Sequence, residues 1–244
     1  MKLVIDIGNT LTKLAVFDKD GIVSIKTAEN ISQKLLSNLF ADYPQIDTAI
    51  LSSVINLNEW LTNYLNDLMK LTVLDHRTRL PFKNNYETPK TLGRDRIAAV
   101  AGAIYLFPTK NILVIDAGTC ITYDMVTSDK VYLGGGISPG INMRFDAVHT
   151  FTGKLPLIDP EQNDKVELIG NTTKGSILSG VQNGILSEVD GIIGRYKNQF
   201  PKLKVVVTGG DYKYFDKYLK NNIFAAPNLV LIGLKKILDF NEGN

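Results

Sequence analysis

Asp6 closes an apolar run and opens the turn Asp6-Ile7-Gly8-Asn9-Thr10. A carboxylate at the C-terminal end of a strand, followed by glycine and small hydroxyl residues, suits phosphate chemistry. The backbone N–H groups can approach a phosphate closely, while the carboxylate holds Mg²⁺ or its water shell beside it. The same residues can also make an ordinary hairpin turn in which Asp and Asn satisfy local amides, and a single such turn favours that plainer reading. A second copy, Asp116-Ala117-Gly118-Thr119, shifts the balance toward a nucleotide. Thr208-Gly209-Gly210 adds a glycine turn after a strand, suited to a flat nucleoside, and Gly134-Gly135-Gly136 with Pro139-Gly140 reads as a further tight segment before a helix start. No GxxxxGK[ST] loop or strand-following GxGxxG fingerprint occurs, which disfavours the P-loop and dinucleotide folds.

The acceptor side of a phosphoryl transfer is best sought at Gly93-Arg94-Asp95-Arg96, which opens an apolar helical run, Ile97 to Leu106. An aspartate in the first turn of a helix is stabilised as an anion, and a helix cap is the plain reading of that placement. With a phosphoryl donor nearby, Asp95 becomes a candidate base for a hydroxyl proton, and Arg96 a bidentate clamp for a substrate carboxylate.

The elements that must position these residues recur in two halves. Leu3 to Ile7 and Leu113 to Ala117 are apolar strands ending in the aspartate turns. Each is followed by hairpin-like sequence, Thr12 to Phe17 with Gly21 to Lys26, and Thr119 to Val126 with Lys130 to Leu133. Helical spacing marks Ile31 to Phe40, Leu57 to Met69, Thr172 to Tyr196 and Leu229 to Phe240, and Leu203 to Val207 reads as a strand. The pattern predicts an α/β protein of two similar lobes, each a mixed sheet plus helices, with a cleft between them. The expected lobes are residues 1–110, with the first phosphate loop and the acceptor segment, and 111–244, with the second loop and the glycine turns.

Composition narrows the class. A formal net charge of +2 and the lack of a basic stripe interleaved with aromatics disfavour nucleic acid as a partner. The single cysteine, Cys120, excludes an intrachain disulfide and a thiolate metal cluster, and His76 and His149 are too few for a typical zinc site. Met1 to Ile7 reads as a strand rather than a leader, and the longest apolar stretch, Ile97 to Phe107, is too short for a bilayer, so the expectation is a cytoplasmic protein without a membrane partner.

Taken in order, Asp6-x-Gly8-Asn9-Thr10, Gly93-x-Asp95-Arg96, Asp116-x-Gly118-Thr119, Gly134-Gly135-Gly136-Ile137-x-Pro139-Gly140 and Gly209-Gly210 resemble the motif series of type III pantothenate kinases. The glycine motifs belong to the wider acetate/sugar kinase, Hsp70 and actin superfamily, with its ribonuclease H-like fold. The Gly-x-Asp-Arg element is the more specific part. The resemblance implies ATP-dependent phosphorylation of pantothenate to 4′-phosphopantothenate, the first step of coenzyme A synthesis. It implies a homodimer that uses Mg²⁺ with ATP and a monovalent cation, K⁺ or NH₄⁺. Carried over by motif, Asp6, Ile7, Gly8, Asn9, Thr10, Leu11, Thr12 and Lys13 form the ATP phosphate loop and Thr119 contacts ATP. Asp116 binds the monovalent cation, and Asp95 is the general base. Gly93, Arg94 (through backbone only), Asp95 and Arg96 hold pantothenate, together with Tyr86 and Thr173; a shift of one residue would move the last role to Thr172. Arg144 and His149 are read as structural, Trp60 as a buried helix residue and Cys120 as a small core residue.

Overall fold

A computed structural model describes residues 1–159 and 166–243. The chain divides into two compact units, Met1–Pro108 with Leu229–Asn244, and Thr109–Asn228.

The first unit opens with β1 (Lys2–Ile7), β2 (Thr12–Phe17) and β3 (Ile22–Ala28), followed by α1 (Gln33–Asp42), β4 (Thr48–Ser53), α2 (Glu59–Leu68), β5 (Lys70–Val73), the short β6 (Lys83–Asn84) and α3 (Arg94–Leu106). Five strands form a mixed sheet in the order β3-β2-β1-β4-β5. β1 is antiparallel to β2 but parallel to β4, so its C-terminal end meets the start of β2 on one side and the end of β4 on the other. That register sets Asp6 between Lys13 and Ser52. Helices α1 and α2 start where side chains replace missing helix partners: Ser32 Oγ accepts from Leu35 N, and Asn58 Oδ1 accepts from Trp60 N. Their apolar faces, Leu36 with Leu39 and Leu61 with Leu65, cover Leu3, Ile5, Leu14 and Val16 of the sheet. Trp60, expected inside this layer, is instead 37% exposed; the buried stripe runs through Leu61 and Leu65, and position 60 falls off it.

The second unit comprises β7 (Ile112–Ala117), β8 (Cys120–Val126), β9 (Val131–Pro139), α4 (Ile141–Thr150), α5 (Thr173–Leu178), α6 (Gly184–Gln199), β10 (Lys204–Thr208), α7 (Tyr212–Tyr218) and β11 (Phe224–Ala225). Its strands follow the order β11-β10-β7-β8-β9, with β7 antiparallel to β8 and parallel to β10. The helical pattern across Thr172 to Tyr196 is not one α-helix, because Ser179–Asn183 forms a π-helical turn between α5 and α6. The triple glycine also departs from expectation. It lies inside β9, where a Cβ at position 135 would stand 1.6 Å from the Tyr123 carbonyl oxygen, so glycine there allows β9 to press against β8 rather than making a turn.

The last helix, α8 (Leu229–Glu242), belongs to the first unit and not to the second half in which its place in the chain puts it. Glycines allow it to sit directly on α3. A Cβ at Gly233 would lie 1.7 Å from the Ala98 carbonyl oxygen, and one at Gly102 2.5 Å from that of Leu229. α3 is buried almost all round from Arg96 to Ile104, as a helix enclosed on several sides must be. Lys2, at the start of β1, adds ion pairs to Asp239 at 2.7 Å and to Glu242. Among the described residues no helix is long and apolar enough to cross a membrane.

Candidate active site

In the first unit the chemistry gathers where β1, β4 and α3 end or begin. Asp6 is largely buried. Its Oδ1 and the neighbouring Ser52 Oγ are both enclosed, and neither meets a partner in hydrogen-bond geometry. Burial is the main reason its carboxyl is pushed up to about 6; the negative charge of Asp95 pushes the same way, while the Ser52 hydroxyl and the Lys13 ammonium pull back. Two aspartates far apart in the sequence therefore feel one another's charge in the folded unit.

Asp95 occupies the first turn of α3, and its Oδ1 accepts from Arg96 N at 2.8 Å. Gly93, the residue before the helix, leaves room for the Asp95 carboxylate as it stands, because a Cβ there would fall 2.4 Å from Asp95 Oδ1 and force that side chain to turn. Arg94 turns toward its own unit, its Nε donating to the Leu74 carbonyl at 2.8 Å and its Nη1 to that of Ser53 at 3.4 Å. This pins the start of α3 to the end of β4, beside Ser52. Arg96 is only 5% exposed, and its guanidinium carbon lies 5.7 Å from the centre of the Tyr86 ring. Asp6, Asp95, Arg96 and Tyr86 thus belong to one unit, which also holds Lys13 and Gly93. The turn Gly8–Leu11 closes through Gly8 N donating to Leu11 O, with Asn9, Thr10 and Leu11 exposed and Thr12 buried.

In the second unit Asp116 ends β7 beside Thr208 of β10 and Thr122 of β8. The turn after it is buttressed: Gly118 N donates to Cys120 O, Asp211 N to Ala117 O, and Gly140 N to Thr119 O. Gly209 has φ +95°, and a Cβ there would come 2.2 Å from Ala117 O and 2.5 Å from Asp116 Oδ1; a Cβ at Gly140 would come 2.1 Å from Gly118 O. Three glycine segments remote in sequence thus converge on one turn whose Thr119 side chain is exposed. Thr172 Oγ1 accepts from Gly175 N as the cap of α5, and Thr173 stands next to it at the first helical position, both side chains exposed. Arg144 pairs with Glu188 at 2.7 Å and donates to Pro139 O, bracing the end of β9 against α6. His149 Nδ1 bonds the Leu155 carbonyl, and Cys120 is half-buried.

Ser52 is the neighbour that motif reading missed. It lies at the polar end of an otherwise apolar strand, Thr48 to Ser53, and a strand parallel to β1 that ends in serines beside Asp6 was the available signal.

A chain from Campylobacter jejuni assigned to the Baf family of transcriptional activators superposes with a TM-score of 0.63 at 24% identity, covering 99% of this chain and 100% of that one. The activator of 2-hydroxyisocaproyl-CoA dehydratase from Clostridium difficile, solved with bound ADPNP, gives 0.54 at 14% identity over 99% and 96% of the two chains. These likenesses are to the fold. Two mixed α/β units, each opening on a strand–aspartate–glycine hairpin, give the chain the two-unit actin-like fold. The model of the type III pantothenate kinase family matches residues 2–195. The type III pantothenate kinase of Christiangramia forsetii is 49% identical over 99% of both chains. The chain belongs to the type III pantothenate kinase family.

Proposed function

We propose that this protein transfers the γ-phosphoryl group of ATP to the hydroxyl of pantothenate, giving 4′-phosphopantothenate and ADP at the entry to coenzyme A synthesis. Family membership supports the reaction. The observation that carries the residue assignment is the placement of Asp95 in the first turn of α3, with the buried Arg96 next to it against the Tyr86 ring.

In this reading Asp95 accepts the hydroxyl proton as the pantothenate oxygen forms its bond to the γ-phosphorus and the bond to the ADP oxygen breaks in line. Arg96 holds the substrate carboxylate, Tyr86 lies along its chain, and Gly93 leaves Asp95 the room it needs. Arg94 sets the start of α3 through the Leu74 and Ser53 carbonyls. The backbone of Asp6 to Lys13 receives phosphate oxygens, with the Lys13 ammonium beside them, and in the second unit Thr119 contacts ATP. Asp6 is suited to Mg²⁺ or its water shell, because its buried Oδ1 lacks a protein partner and a single carboxylate with phosphates is how this ion is usually held. When bound, the ion supplies charge neutralisation on the phosphates. Asp116 offers oxygen donors suited to a monovalent cation, K⁺ or NH₄⁺. Thr173, whose side chain is exposed at the start of α5, contacts substrate in a homodimer. The setting is the cytoplasm.

ADP release by the purified protein with Mg²⁺ and K⁺ tests this reading, comparing pantothenate with sugars, acetate and water. Turnover should depend on pantothenate and rise with K⁺. ATP binding without pantothenate-dependent turnover would overturn it. Sedimentation of the active species checks the dimer.

A further inference from the structure

Each aspartate turn begins from a row of side chains that crosses its sheet, and the two rows are laid out alike. In the first unit Asp6 is paired with Lys13 on the antiparallel neighbour β2 and with Ser52 on the parallel neighbour β4. In the second unit Asp116 is paired with Thr122 on antiparallel β8 and with Thr208 on parallel β10. Side chains at paired positions project from the same face of a sheet, with directly opposed Cβ atoms about 4.5–5.5 Å apart, so each aspartate has both partners within reach. The parallel partner is a buried hydroxyl in both rows, Ser52 or Thr208. The antiparallel partner differs: a lysine beside Asp6, a threonine beside Asp116.

That one exchange changes the charge of the row. Lys13 brings a tethered ammonium to Asp6, and its charge acts on that carboxyl. Thr122 brings a neutral oxygen to Asp116, and the way it is held suits a cation. Its hydroxyl donates to Asp124 Oδ2 at 3.0 Å, while Asp124 Oδ1 accepts from the Tyr132 hydroxyl at 2.7 Å, all three residues buried. A hydroxyl has one proton and two lone pairs, so with its proton given to Asp124 the Thr122 oxygen faces its surroundings as an acceptor. Gly209 keeps space beside the Asp116 carboxylate, since a Cβ there would come 2.5 Å from Oδ1. The row offers one carboxylate and two hydroxyls, an all-oxygen set of the kind that hard cations take.

We infer that Thr122 decides that the second turn takes a free monovalent cation: its hydroxyl oxygen, with that of Thr208, joins the Asp116 carboxylate in holding K⁺ or NH₄⁺, in the role that the Lys13 ammonium plays beside Asp6. The inference rests on the reading of Asp116 as the cation residue and adds its partners and the reason for the ion's single charge. The first row carries its own positive charge on a side chain; the second has none and imports one. Asp124 is a positioning residue, acting through Thr122.

The test titrates KCl against choline chloride at constant ionic strength into the full chain saturated with Mg²⁺ and ADPNP, so amide chemical shifts read the cation without turnover. Saturable K⁺ shifts should centre on Asp116, Thr122 and Thr208. Thr122→Val loses the oxygen and should weaken K⁺ binding about tenfold, the worth of one polar contact to a charged group, while Thr122→Ser keeps the oxygen and should stay within about threefold of wild type. Thr122→Lys builds the first unit's row into the second: the K⁺ shifts should vanish, and pantothenate turnover should no longer depend on K⁺. If that variant fails to fold, the Val and Ser pair decides. Equal K⁺ affinity in wild type and Thr122→Val, or a folded Thr122→Lys enzyme that still needs K⁺, would overturn the inference. Asp116→Asn tells the two levels apart. Loss of K⁺ binding there but not in Thr122→Val removes Thr122 and leaves Asp116 as the cation residue, whereas K⁺ binding untouched by Asp116→Asn removes both.

Discussion

The two aspartate turns begin from nearly the same sequence and end in different surroundings. Asp6 lies in a buried setting with another carboxylate nearby, and its own loop closes through a single Gly8–Leu11 bond with its tip exposed. Asp116 is followed by a turn tied by backbone bonds from Gly118, Gly140 and Asp211, with Gly209 pressed against its side chain. The first turn has its strain in electrostatics, the second in packing. Their difference shows that one repeated motif can be set in two environments: one copy buried near another charge, the other tied by backbone bonds and close glycine contacts.

The sharpest way to break this comparison is at Asp95, whose charge acts on Asp6. Asp95→Asn should lower kcat by about 10²–10⁴-fold, the usual worth of a general base, while pantothenate still binds by calorimetry. Near-normal turnover would remove Asp95 from the role of base.

Charge strain at Asp6 predicts an unusual pH dependence of stability. Its carboxyl rises from 3.8 to about 6 on folding, so between those values the folded chain holds a proton that the unfolded chain has released. This contribution is fully present below about pH 4 and is lost as pH rises through 6, a fall of about 3 kcal/mol in all. Urea unfolding in EDTA from pH 4 to 8 should show most of that decline, and Asp6→Asn should flatten it and be the more stable protein at pH 8 despite lost activity. A wild type that gains stability over that range through Asp6 would refute the burial argument.

At the packing-strained turn the expected loss is in folding rather than titration. Gly209→Ala places a methyl against Ala117 O at a φ that disfavours side chains, and should cost about 2 kcal/mol in denaturant unfolding without changing the slope near pH 6. The smallest effect is expected at Tyr86. Tyr86→Ala removes one cation–π contact to Arg96 and should raise the pantothenate KM by only a few-fold, with kcat nearly intact.

Much of the site was legible in the chain because its signals are local. Strand, aspartate, glycine and hydroxyl residue follow one another in each turn, and Asp95 sits in its helix start with Gly93 before it. Ser52 was not legible, since only the parallel register of β4 against β1 makes it a neighbour of Asp6. The triple glycine was misread for a similar reason. Glycine marks turns in sequence, but at Gly135 the demand comes from the Tyr123 backbone on the next strand. α8 shows the limit most plainly: its amphipathic spacing announces a helix, while its partner depends on the matching gaps at Gly102 and Gly233.

By itself the sequence determined the paired aspartate turns, the strands that lead into them and the family, because these rest on residues adjacent in the chain. Only tertiary structure decided that Asp6 would be the strained carboxylate and that α8 would close the first unit. Each of those depends on what lies across a sheet or between helices, and burial and charge act through space rather than along the chain.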